Sequence, residues 1–140
     1  MSGYTLTGTA KAPVEDVWKL LFDPSRFPEW WMGVESVRVD TDRDYTVWSD
    51  GLPDYPMPQI MRTDRANGRV LMSCQVSDID FVWQLAEDGD ATVITLRVTI
   101  PEPKAPVLAE KRPLLAASVV ALAALAEREH RPSGDRRDTA

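Results

Sequence analysis

Apolar positions along this chain change period from element to element, and each change marks a boundary. Residues 4–10, YTLTGTA, carry Thr and an aromatic with no charge and predict a first strand. Pro13 suits the first turn of a helix, where its missing N–H would be unpaired in any case. Val14, Val17, Trp18 and Leu21 then recur at helical spacing, with Glu15 and Asp16 near the positive end of the dipole. Asp23-Pro24 stops that helix, because the residue before a proline avoids helical angles. Residues 25–31, with Pro28 inside, read as one or two broken turns closed by Gly33.

From Val34 the period is two. VESVRVD (34–40) and residues 45–49 predict half-buried strands, and DGLPDYPMP (50–58) reads as a proline-bound loop. QIMRTD (59–64) pairs with RVLMSCQV (69–76) across Asn67-Gly68, the preferred pair for a type I′ turn. DFVWQLAE (80–87) and ATVITLRVTI (91–100) form a second hairpin around Asp88-Gly89, with Phe81, Trp83 and Leu85 on one face. Pro101, Pro103 and Pro106 end the strand pattern. Leu108 to Arg128 is a long helix, with Leu108, Leu115, Val119, Leu122 and Leu125 forming its apolar stripe.

The order is strand, two short helices, about six strands and one long helix, an α+β domain. A meander of antiparallel strands with one apolar face needs a cover, and the long helix is the element large enough. A curved sheet around one helix leaves space wherever side chains do not fill it. Trp30 and Trp31, on the short helical segment, are the available lid. On a helical turn, adjacent side chains point about 100° apart. One indole is then expected at the cavity mouth and the other against the sheet or partly wet.

AxAPVEDVWKLLFDPSRFPEWW followed by GVESVRV resembles the amino-terminal signature of the START-like (SRPBCC) superfamily, in its polyketide cyclase/dehydrase branch. KRPLLAASVVALAALAE (111–127) resembles that family's Ser- and Leu-bearing final helix. The resemblance implies a helix-grip fold, a curved antiparallel sheet wrapped around a long C-terminal helix, enclosing a deep apolar cavity. A single such domain is expected over residues 1–131, with a flexible, polar tail at 132–140. Because one fold hosts unrelated activities, the function must be argued from the site.

Composition narrows the partners. The net charge of −6 argues against a nucleic-acid backbone or an anionic membrane surface, both of which call for clustered Lys and Arg. No apolar run approaches the roughly 20 residues of a membrane-spanning helix, and the start of the chain lacks a signal-peptide pattern. A soluble, cytoplasmic protein is expected. One cysteine, Cys74, excludes an internal disulfide, and one histidine, His130, supports neither a Ser-His-Asp arrangement nor a zinc cluster. Asp40, Asp42 and Asp44 start like a calcium loop, but Tyr45 and Gly51 stand where Gly and Glu are required, so a solvated turn is expected. Without a GxGxxG or Walker pattern, neither cofactor nor metal is expected.

The remaining reading is a cavity protein for a small hydrophobic or aromatic ligand, with cyclase or dehydrase activity on a polyketide-like substrate implied by the resemblance. Its expected wall comprises Trp30, Trp31, Met57, Met61, Met72, Trp83, Leu115 and Ser118. Asp54, Tyr55 and Gln59 are the candidate polar contacts. Plain core packing is the commoner role of large aromatics and methionines. Ser118 competes with its own backbone as partner. Catalytic residues and oligomeric state stay open. The alternatives are a non-catalytic carrier or sensor of a lipid or aromatic ligand, favoured by few inward ionisable groups, and a protein-interaction module, which predicts no cavity.

Overall fold

The structure, a computed structural model, describes residues 2–139 in backbone and 2–130 in full. The flexible tail expected over residues 132–140 lies outside the fully described residues. Seven strands run in chain order: β1 (Ser2–Ala10), β2 (Val34–Val39), β3 (Asp44–Ser49), β4 (Met57–Asp64), β5 (Arg69–Cys74), β6 (Asp80–Asp88) and β7 (Ala91–Ile100). They form one antiparallel sheet in the order β1-β7-β6-β5-β4-β3-β2. Helix α1 (Val14–Leu21) and a 3₁₀ segment (Pro24–Glu29) fall between β1 and β2, and helix α2 (Pro106–Thr139) closes the fold. This is the helix-grip architecture.

The sheet's inner face follows the parity of its sequence. On β6, Phe81, Trp83 and Leu85 are buried, and on β7 Ile94, Leu96 and Val98 are buried while Arg97 points outward. The helix stripe Leu108, Leu115, Val119, Leu122 and Leu125 is buried against that face. Each such side chain contributes about 1.5–3 kcal/mol when removed from water, which is why α2 stays on the sheet. Gly8 lets the two layers approach closely: a Cβ there would lie 2.7 Å from Val119 Cγ1.

Two local expectations need correction. The β4–β5 connection is not a type I′ turn, which requires positive φ at both Asn67 and Gly68. Gly68 alone is left-handed, with φ 63°. Residues Arg65–Asn67 instead form a 3₁₀ turn in which the Asp64 carboxylate accepts from the Asn67 N–H and side-chain amide. A local side-chain acceptor outcompetes the dipeptide's own preference. The two lid indoles stack rather than splay by about 100°, with Trp30 fully buried and Trp31 partly exposed. Trp30 leaves helical geometry, with φ −138° and ψ −22°, and the rings of Trp30 and Trp31 stack at 5.3 Å with 26° between planes.

The lid is held from both sides. The Asp23 carboxylate caps the 3₁₀ segment by accepting from the Ser25 N–H and hydroxyl. Farther along, Arg26 donates to Glu29 at 2.9 Å and to Glu129 of α2 at 3.3 Å. Lys19 of α1 also reaches Glu129, at 3.3 Å. Arg26 and Lys19 hold the Glu129 carboxyl below its usual range, the Arg26 hydrogen bond contributing most.

Candidate ligand cavity

Cross-strand register assembles the site. In an antiparallel pair, residues directly opposite share a face with Cβ atoms about 4.5–5.5 Å apart. Tyr45 on β3 lies opposite Gln59 on β4, which lies opposite Cys74 on β5. The Cys74 N–H then donates to the Ile79 carbonyl at 2.9 Å. These four residues form one inner row, and all four line a cavity of about 550 Å³. Beside them, Val47 and Met57 pair across β3 and β4 and line the same space.

Aromatic rings form the opposite wall. Phe27 meets Tyr45 edge-on at 5.4 Å and Trp31 at 5.3 Å, and Trp31 meets Phe81 edge-on at 5.1 Å. Phe27, Trp31, Tyr45 and Phe81 all line the cavity. Such edge-to-face contacts fix the ring orientations and leave apolar faces for a ligand. The mouth is framed by Met32, Leu52 and Leu114, which are exposed large hydrophobics, together with Asp50 and Lys111. Ser118, on α2, ties that mouth down. Its hydroxyl accepts from the Met32 N–H and donates to the Leu114 carbonyl one turn back.

Ionisable groups are sparse inside. Asp50 and Lys111 stand at the mouth, while Tyr45 and Cys74 are buried at 2% and 5% exposure. Burial, with a smaller contribution from Cys74, pushes the Tyr45 phenol far above its ordinary 10.0, so it stays protonated and can donate. Gln59 is buried as well, and among the described residues its side chain makes one long bond, from its amide to the Met57 carbonyl at 3.4 Å. Among the described residues no group of three His, Cys, Asp or Glu is placed to hold a metal ion. No helix among them is long and apolar enough to cross a membrane.

The residues singled out from the sequence separate into four places. Trp31, Met57 and Gln59 line the cavity. Trp30, Trp83, Met72 and Leu115 are buried in the core behind it, and Ser118 is the buried latch. Trp30 donates its indole N–H to the Leu20 carbonyl at 3.1 Å, and Trp83 stands edge-on to it at 5.4 Å. Met61 is buried beneath a separate polar depression of about 480 Å³ bounded by Asp42, Arg43, Arg62 and Thr63. Asp54 and Tyr55 are exposed on the loop before β4 and do not line the cavity. Tyr45, Phe27 and Phe81 complete the aromatic wall. The alternation of Tyr45 and Val47 on β3 was the signal available for the first of them.

The family model for polyketide cyclase / dehydrase and lipid transport proteins matches residues 10–115, most of the chain. The chain belongs to that family. Among solved structures, it is similar to the Zhui aromatase/cyclase from a Streptomyces species: TM-score 0.79, 17% identity, 95% of this chain and 98% of that one covered. It is also similar to the di-domain ARO/CYC BexL: TM-score 0.76, 14% identity, 91% of this chain and 47% of that one. The protein XoxI from Bacillus cereus aligns with TM-score 0.74 at 15% identity, over 93% of this chain and 99% of that one. At these identities the likeness is one of fold. No curated protein gives a significant match.

Proposed function

We propose that this family member binds a small hydrophobic or aromatic molecule in the cavity between β3, β4, β5 and the lid. The observation that carries the reading is the aromatic wall of Phe27, Trp31, Tyr45 and Phe81 around about 550 Å³, a volume in the range of small-molecule sites. Family membership and the aromatase/cyclase neighbours support a polyketide-like ligand. Cyclase or dehydrase chemistry here would work by holding a folded substrate in an apolar pocket, where orientation supplies much of the rate. Trp31, Met57 and Gln59 are the ligand contacts in this reading, with Trp30 and Trp83 fixing Trp31 from behind.

The test is titration with planar hydrophobes and fatty acids, followed by tryptophan emission. Trp31 lies on the wall, so a bound ring shifts or quenches its signal. A broad panel that leaves the emission of the folded protein unmoved defeats the reading.

A carrier role is the second reading, favoured by one observation: the charged lining residues, Asp50 and Lys111, stand at the mouth. General acid–base work needs a titrating group within hydrogen-bond reach of the reacting atom. Incubation with a synthetic polyketide chain separates the two. A changed product ratio supports the cyclase, and tight binding with unchanged products supports the carrier.

A further inference from the structure

We propose that Tyr45 and Gln59 make this cavity selective for planar hydrophobes bearing a ring oxygen, a carbonyl or phenol, over hydrocarbons of the same outline. The proposal rests on the cavity-binding reading above and names the chemical class it takes.

The Tyr45 hydroxyl has no hydrogen-bond partner among the described residues, although the side chain is 2% exposed. Gln59 uses its amide N–H in one 3.4 Å contact and leaves its carbonyl oxygen without a partner there. Among the described residues, the buried side-chain polar atom sealed off and unpaired is Trp83 Nε1. The Tyr45 hydroxyl and Gln59 Oε1 are unpaired but not sealed, and both residues line the cavity. A polar atom that is neither wet nor bonded is costly. Water or a ligand oxygen must satisfy these two.

Their chemistry is complementary. The protonated phenol donates to a carbonyl or phenol oxygen, and Gln59 Oε1 accepts from a phenol O–H. Because the two residues sit directly opposite on neighbouring strands, one ligand oxygen can meet both. A ligand without that oxygen displaces their water and returns nothing, so selectivity arises by leaving polar atoms unpaired.

The test uses two probes of matched outline, 2-naphthol and 2-methylnaphthalene, in calorimetric titrations of the full chain. Tyr45→Phe removes one hydroxyl and keeps the ring contacts. It is expected to weaken 2-naphthol about tenfold while leaving 2-methylnaphthalene within about twofold. Gln59→Met, which keeps side-chain length, is expected to act in the same direction and decides the matter should Tyr45→Phe fail to fold. Wild-type protein that binds neither probe overturns the selectivity, and the cavity-binding reading falls with it when the broad panel also leaves the emission unmoved. Wild-type protein that binds both, with variants that move the two probes equally or not at all, overturns the selectivity alone.

Discussion

The hydroxyl of Ser118, midway along the closing helix, accepts a hydrogen bond from the backbone N–H of Met32 at 2.8 Å, joining positions 86 residues apart. Met32 follows the two lid indoles and lies at the cavity mouth. The same hydroxyl donates to the Leu114 carbonyl at 2.7 Å, so its geometry is set from both sides. One buried polar atom thus connects the helix that covers the sheet to the segment that roofs the pocket.

Ser118→Ala leaves the Met32 N–H without its partner in a part-buried place. A loss of about 1–3 kcal/mol is expected, the range for an unsatisfied donor. Urea unfolding of variant and wild type measures it, and a difference below about 0.5 kcal/mol contradicts the latch, since surface changes fall in that range.

Trp30 and Trp31 separate stability from binding. Trp30 is fully buried and bonded to the Leu20 carbonyl, whereas Trp31 is partly exposed on the cavity. Trp30→Ala is expected to cost about 3–5 kcal/mol, as for other buried aromatics cut to alanine. Trp31→Ala is expected to cost less in denaturant titrations, yet to weaken an aromatic ligand more than Ser118→Ala does. Equal stability losses at 30 and 31 contradict this division.

Gly68 and Gly89 share a left-handed φ of 63° but differ in surroundings. A Cβ at Gly68 would lie 2.7 Å from the Leu85 carbonyl oxygen, while one at Gly89 meets open space. Gly89→Ala is expected to cost about 1–2 kcal/mol for the backbone alone. Gly68→Ala adds a clash with backbone and is expected to cost more. Thermal unfolding of the two variants side by side gives the order directly.

Glu129 predicts the acid limb of the stability curve. Its carboxyl lies below its ordinary 4.5, chiefly through the hydrogen bond from Arg26 and then that from Lys19. A folded-state value below the unfolded one gives stability that is present above pH 4.5 and is lost as pH falls through the lowered value. Glu129→Gln is expected to flatten the decline in unfolding free energy as pH falls from about 5.5, roughly one unit above the ordinary 4.5, through the lowered value. A decline as steep as wild type would place the acid sensitivity elsewhere.

Much of the fold was legible in the order of the residues. The parity of Phe81, Trp83 and Leu85 and the 3.6 period of Leu115, Val119 and Leu122 depend only on local geometry, because strand and helix each have one repeat. The candidate site was legible in part. Met57 and Gln59 sit two apart on β4 and therefore share the face that lines the cavity. Asp54 and Tyr55 carry suitable chemistry, but they lie on an exposed loop, and no period binds a loop to a face.

What the linear chain determined by itself is the set of elements, the side of each that turns inward, and the helix that must cover them, since those follow from repeats within a few residues. What only the tertiary structure decided is which inward groups meet. Tyr45, Gln59 and Cys74 form one row because the registers of two strand pairings coincide, and a slip of one residue would turn any of them outward. That choice belongs to long-range pairing, and the polar character of this cavity depends on it.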